Sequence, residues 1–158
     1  HDIEGYNGRL DALQAAFLRI KLRRLEQWNR ARRAIAALYR GRLSEVPDVR
    51  LVAETPGSRP VYHLFVVRVP DRDRVRAFLQ SRDIATGLHY PLPLHQQAAY
   101  RHLHLGEGAF PVTEQAADEI LSLPMFPEMT PDQADRVMDA LTEFFVGRCQ
   151  PAAAVAGR

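Results

Sequence analysis

From Arg9 to about Leu43 the chain carries no proline, and its one glycine there is Gly41. Leu10, Leu13, Phe17, Ile20, Trp28, Ile35 and Leu38 recur mostly at steps of three and four, and Leu25 fills the longer gap. That spacing is a helical stripe. About 33 residues at a 1.5 Å rise make a helix, or a kinked pair, roughly 50 Å long. A compact domain has little use for such a rod, so the spacing predicts an element that bridges two lobes. Gly41 and Pro47 close it.

The rest of the chain must supply the core that this helix leads into. With 158 residues, 46% hydrophobic and 25% charged, there is enough for one ordinary globular unit. No apolar run is long enough for a membrane-spanning helix, so no membrane partner is expected. The start, HDIEGYNGRL, is polar, lacks the apolar stretch of a secretory signal and lacks an initiator Met. A chain that begins inside a longer one is expected. A single cysteine, Cys149, precludes an internal disulfide framework and fits a reducing cytoplasm. The basic run Arg19, Lys21, Arg23, Arg24, Arg30, Arg32 and Arg33 spreads around more than one helix face without interleaved aromatics. The net charge is only +2. A solvated face, or a patch attracting an anionic small molecule, fits this better than nucleic acid does.

Val49 to Ala53 reads as a strand, Thr55-Pro56-Gly57-Ser58 as a turn, and Val61 to Val69 as a central strand rich in β-branched and aromatic residues. Asp71 offers an N-cap to a short helix burying Val75, Phe78 and Leu79. Ile84 to Tyr90 reads as a third strand, ended by Pro91 and Pro93. A short helix is predicted over Gln96 to Leu103 and another from Thr113 to about Leu121, followed by an extended loop, Ser122 to Pro127. The last helix has the clearest start: Thr130 as N-cap, Pro131 at the first helical position and Gln133 completing a capping box. Its inner face is Ala134, Val137, Met138, Leu141, Phe144 and Phe145. The fold class is therefore α+β: a linking helix over 1–43, a lobe over 44–147 with about three strands in a mixed or antiparallel sheet, and a disordered tail over 148–158.

Four stretches carry more than pattern. Gly5-Tyr6-Asn7-Gly8-Arg9 with the following Gln14-Ala15-Ala16, Val61 to Arg68, Thr86-Gly87-Leu88-His89-Tyr90-Pro91-Leu92-Pro93-Leu94-His95, and Pro111 to Glu114 with Leu121 to Pro127 resemble segments of the DegT (StrS) sugar aminotransferases. They stand in family order with family-like gaps from Gly5 to Phe145. The family usually has glycine where Asp83 stands, and Asp tolerates the left-handed turn this requires. The resemblance implies an aspartate-aminotransferase-like enzyme dependent on pyridoxal 5'-phosphate (PLP). A large cofactor lobe, absent here, would be joined by the long helix to this small one. It implies amino transfer from Glu or Gln to a keto sugar, usually nucleotide-linked, with a lean to 3-keto or 4-keto deoxysugars, in a homodimer with shared active sites. The Schiff-base lysine is not among these residues; Lys21, the one lysine, reads as a solvated helix residue. Alternatives left open are a stand-alone dimerisation or regulatory lobe and a cyclitol ketone as amino acceptor.

The same resemblance assigns roles residue by residue. Asn7 reaches the PLP phosphate of the neighbouring subunit, although as a favoured N-cap residue it is also explained without function. Arg9 lies near that neighbour's substrate, a role that would offset an unfavourable first-turn charge. His89 lines the sugar pocket, where a neutral imidazole can hydrogen-bond a hydroxyl or phosphate. Tyr90 and His95 are weaker substrate candidates, and His63 reads as structural. His95, His102 and His104 have no cysteine or carboxylate cluster to complete a zinc set, so no metal is expected. Glu114 reads as a first-turn residue complementing a helix dipole.

Overall fold

The computed structural model describes residues 2–3, 5–8 and 10–147. Its leading element, α1, spans Ala12–Leu43, and Asp11 caps it by accepting from the Gln14 amide at 2.8 Å. The helix start thus falls three residues later than the apolar spacing suggests, and the capping role read for Asn7 belongs to Asp11. The two halves of α1 differ. Ile35, Ala36, Tyr39 and Leu43 are buried, whereas Leu13, Phe17, Ile20 and Leu22 on the leading half are exposed.

Three strands, β1 (Arg50–Leu51), β2 (Phe65–Arg68) and β3 (Ile120–Leu123), form an antiparallel sheet in the order β1-β2-β3. Two sequence expectations change here. The central strand is four residues, not nine, because Tyr62 turns to a positive φ of 48° and residues 63–64 bend before pairing begins. His63 sits exposed in that bend. The third strand is not Ile84 to Tyr90, which contributes a single bridge from Gly87 to Ser122. It is β3, drawn from the end of a predicted helix and a predicted loop. Leu121, Ser122 and Leu123 are all buried, so β3 has none of the in–out alternation that marks a strand in sequence.

Helix α2 (Arg72–Gln80) buries Val75 and Leu79, and Phe78 meets Phe144 edge-on at 5.2 Å. Asp71 occupies its N-cap position in a left-handed conformation, with no capping bond from its side chain. Its carbonyl instead accepts from Arg74 and Val75. Asp83 takes the left-handed φ of 59° expected of it. Over Leu94–Gln96 and Ala98–Leu103 the predicted short helix is two 3-10 turns, broken by an extended Gln97. Helix α3 (Pro111–Glu119) starts on Pro111 and stops where β3 takes over, and Arg68 of β2 pairs with Glu119 at its end at 2.8 Å. Helix α4 (Pro131–Val146) has the full capping box: the Gln133 amide donates to Thr130 Oγ1 at 3.3 Å and the Thr130 amide to Gln133 Oε1 at 3.0 Å.

The core lies between the sheet, α4, α2 and the trailing half of α1. Tyr39, Leu43, Leu121, Met138, Leu141 and Val67 are among its largest fully buried side chains. The Tyr39 hydroxyl donates to the Pro124 carbonyl at 3.0 Å, and burial raises its pKa far above that of a free phenol. The bond ties α1 directly to the chain leaving β3. That end of α1 is therefore rigidly set, and so is the strand on which the candidate site stands.

Candidate functional site

The site is built on the far edge of β3. Gly87 and Ser122 exchange two backbone hydrogen bonds, at 3.0 and 2.8 Å, so the chain before His89 is held to the strand. Two residues on, the His89 Nδ1 lies 2.9 Å from the Ser122 hydroxyl. The other side of the ring is closed by Gly87: a Cβ there would come within 2.6 Å of His89 Cε1. Only glycine lets the imidazole lie this close to the backbone. Tyr90 follows, with its ring edge-on to His89 at 5.7 Å and mostly exposed. The outcome is an exposed imidazole anchored to the strand through Nδ1, with an exposed phenol edge-on beside it.

His95 is placed differently. Its side chain is 7% exposed, its Nε2 is 2.9 Å from Glu114 Oε1, and its ring stands edge-on to Phe110 at 4.9 Å. Glu114 also accepts from the Gly108 and Phe110 amides, at 2.8 and 3.0 Å. Those two backbone donors, then the histidine, hold its carboxyl below the usual range. Glu114 is in the first turn of α3, as its position suggests, and in addition it clamps the loop over residues 104–110. His95 joins Arg101, His104 and Glu107 around a polar cleft of about 690 Å³. Tyr90 lines a separate cleft of about 770 Å³ with Leu92, Leu94, Gln97 and Ile120. Pro91 and Pro93 belong to both. Both volumes suit a small molecule, and both are open to solvent.

Asn7 is exposed, ahead of the α1 cap, and meets none of these side chains. Arg9 lies outside the described residues. His89 and Tyr90 are thus brought together, while His95 is turned to Glu114. Two residues that make the site were missed: Ser122, inside a run read as a loop, and Gly87, read only as part of a motif. The Gly-x-His spacing was the available signal for the second. Among the described residues no group of three or more metal-ligating side chains converges, and no helix is long and apolar enough to cross a membrane.

The cofactor donor set can be tested the same way. Lys21 stands on the leading half of α1 beside Leu18, Leu22, Leu25 and Trp28, with no carboxylate or hydroxyl cluster facing it. The described residues do not assemble a PLP site by themselves, and no chemical step through that group is derived from them.

Fold and site together define a class: a small α+β lobe on a long leading helix, presenting a strand-anchored histidine-tyrosine pair. The chain belongs to the DegT/DnrJ/EryC1/StrS aminotransferase family, whose model matches residues 1–142. It is 44% identical over 144 residues to the dTDP-3-amino-3,4,6-trideoxy-alpha-D-glucose transaminase of Streptomyces venezuelae, covering 91% of this chain and 38% of that protein. It is 43% identical to the erythromycin biosynthesis sensory transduction protein EryC1 of Saccharopolyspora erythraea, covering 89% of this chain and 38% of that one. The structure of S. venezuelae DesV in complex with a ketimine intermediate superposes with a TM-score of 0.82 at 44% identity, over 91% of this chain and 39% of the other. The chain therefore spans about two fifths of the length of the relatives it matches.

Proposed function

We propose that this chain is the linking helix and small lobe of a PLP-dependent aminotransferase that moves an amino group from Glu or Gln to a nucleotide-linked keto sugar, working as a homodimer. The observation that carries this is the 44% identity to a dTDP-amino-sugar transaminase across nearly the whole chain. The anchored His89 and Tyr90 supply its structural support. When bound, PLP supplies the electron sink for the transfer. The residues of this lobe supply shape and hydrogen bonds.

In this reading His89 meets an oxygen of the sugar or its phosphate, and Tyr90 lies against the ring. Asn7 and Arg9, ahead of α1, reach the neighbouring subunit's cofactor phosphate and substrate. His95 acts through Glu114, holding the wall of the cleft rather than the sugar. Of the 3-keto and 4-keto deoxysugars, the name of the S. venezuelae relative, a 3-amino-sugar transaminase, supports the 3-keto acceptor.

The test is an assay of the full-length protein with PLP, Glu or Gln, and dTDP-linked 3-keto and 4-keto deoxysugars. Amino sugar should form with at least one acceptor, and His89→Ala should lower kcat/KM about ten- to a hundredfold, the scale of one hydrogen bond to a charged or strongly polarised oxygen. No amino transfer to any of these sugars with either donor would overturn the reading. A second reading, a non-catalytic regulatory lobe, is favoured by the sensory-transduction name that a 43% identical relative carries. That reading requires a full-length protein without a Schiff-base lysine, which sequencing the codons upstream of His1 decides.

A further inference from the structure

Ser122 is a buried polar residue, 4% exposed, on a strand otherwise made of Ile120, Leu121 and Leu123. Nothing in the packing of β3 needs a hydroxyl there. Its Oγ has one hydrogen-bond partner among the described residues, His89 Nδ1 at 2.9 Å. The direction of that bond follows from the chemistry of the two groups. A serine hydroxyl has one proton to place, and a neutral imidazole has one donor and one acceptor nitrogen. Were Nδ1 the donor, the proton of the buried Ser122 hydroxyl would have no acceptor among the described residues, and buried polar groups are rarely left so. Ser122 therefore donates and Nδ1 accepts. The proton of the neutral ring then sits on Nε2, which has no hydrogen-bond partner among the described residues, on a side chain that is exposed.

We infer that Ser122 is a positioning residue that fixes the tautomer of His89, so that the neutral ring offers an Nε2–H donor outward and selects an acceptor oxygen on its ligand. The two backbone bonds between Gly87 and Ser122 set the hydroxyl at the height of the ring. The bare α-carbon of Gly87 leaves room for the ring to lie against it. Together they leave the imidazole one orientation and one free nitrogen. As applied to a sugar ligand, this rests on the reading of His89 given above. A keto, ring or phosphate oxygen meets the donor. A sugar hydroxyl is bound through its lone pairs, leaving its own proton to another group.

Two measurements on the full-length protein test this. The first is solid-state NMR with ring-¹⁵N histidine above neutral pH, assigning His89 by its loss in His89→Gln. The expected signature is an unprotonated Nδ1 and a protonated Nε2, with the preference relaxing in Ser122→Ala. A protonated Nδ1 in the wild type overturns the inference without reference to activity. The second is a double-mutant cycle on kcat/KM with His89→Gln as the other arm. A glutamine side chain keeps an N–H donor near the Nε2 position and has no tautomers. Ser122→Ala should cost about three- to tenfold when His89 is present, the scale of one neutral hydrogen bond, and nothing further in the His89→Gln background. An equal loss in both backgrounds would make Ser122 merely structural and sink the inference. If the tautomer is as stated but His89→Ala leaves kcat/KM unchanged, the sugar-facing reading of His89 fails while the role of Ser122 stands.

Discussion

Gly87 and Glu114 are the two single residues whose replacement separates local geometry from bulk stability. At Gly87 an added methyl meets the far edge of the His89 ring rather than backbone, at 2.6 Å from Cε1. Gly87→Ala should leave the fold intact and swing the imidazole off Ser122. The melting temperature should then move little while the His89 ring resonances shift and broaden; unchanged His89 resonances would show that the close approach constrains nothing. Glu114 is a titration experiment. Its carboxyl is held below the usual range chiefly by the Gly108 and Phe110 amides, with the hydrogen bond from His95 adding to them. A carboxyl whose folded pKa is depressed contributes stability above its unfolded pKa and loses it as the pH falls through the folded one. The stability gap between wild type and Glu114→Gln should thus be full at pH 7 and close below about pH 4. Amide exchange of the loop over residues 104–110 should report it, and a gap that stays full well below that pH would contradict the clamp.

At the scale of elements, α4 shows what local sequence can fix and β3 what it cannot. Thr130, Pro131 and Gln133 satisfy donors that any helix start leaves open, so the capping box forms in the structure as it is written in the sequence. Thr130→Ala should destabilise the protein by about 1 kcal/mol, read as a lower denaturation midpoint at unchanged m-value. Leu141 at the centre of the same helix is fully buried, and Leu141→Ala should cost about 2–5 kcal/mol. A loss as small as that of the cap would mean the site collapses around the void. Strand β3 is the converse. Its four residues pair with β2 on one side and Gly87 on the other, both faces are covered, and it follows α3 with no turn between them. Alternation, length and punctuation, the three local signs of a strand, are all missing.

On the scale of the whole molecule, the leading half of α1 decides behaviour. Leu13, Phe17, Ile20 and Leu22 are 67%, 58%, 65% and 66% exposed, a larger apolar run than an independent soluble unit normally shows. The 158-residue chain by itself should self-associate and bind hydrophobic dyes, and Phe17→Glu with Leu22→Glu should reduce both. A sharp-melting monomer with no dye binding would count against it. Incubating the same chain with PLP and borohydride should leave Lys21 unmodified at stoichiometric levels, because among the described residues its neighbours on that face are apolar apart from Arg19, with no hydroxyl or carboxylate to seat the phosphate and the ring.

The sequence by itself determined the long helix, the cap of α4, the left-handed turn at Asp83 and the family, because each is a matter of periodicity, of residue chemistry within a few positions, or of motifs in order. It also named His89 and Tyr90. Tertiary structure alone decided that β3 is a strand, that Val61 to Leu64 are not, that His95 is turned to Glu114, and that Ser122 faces His89. Each of these depends on partners far along the chain: Ser122 is 33 residues from His89 and Glu114 is 19 from His95. A hydrogen bond between residues so separated leaves no local periodicity to read. It exists only once the sheet has brought the two segments side by side.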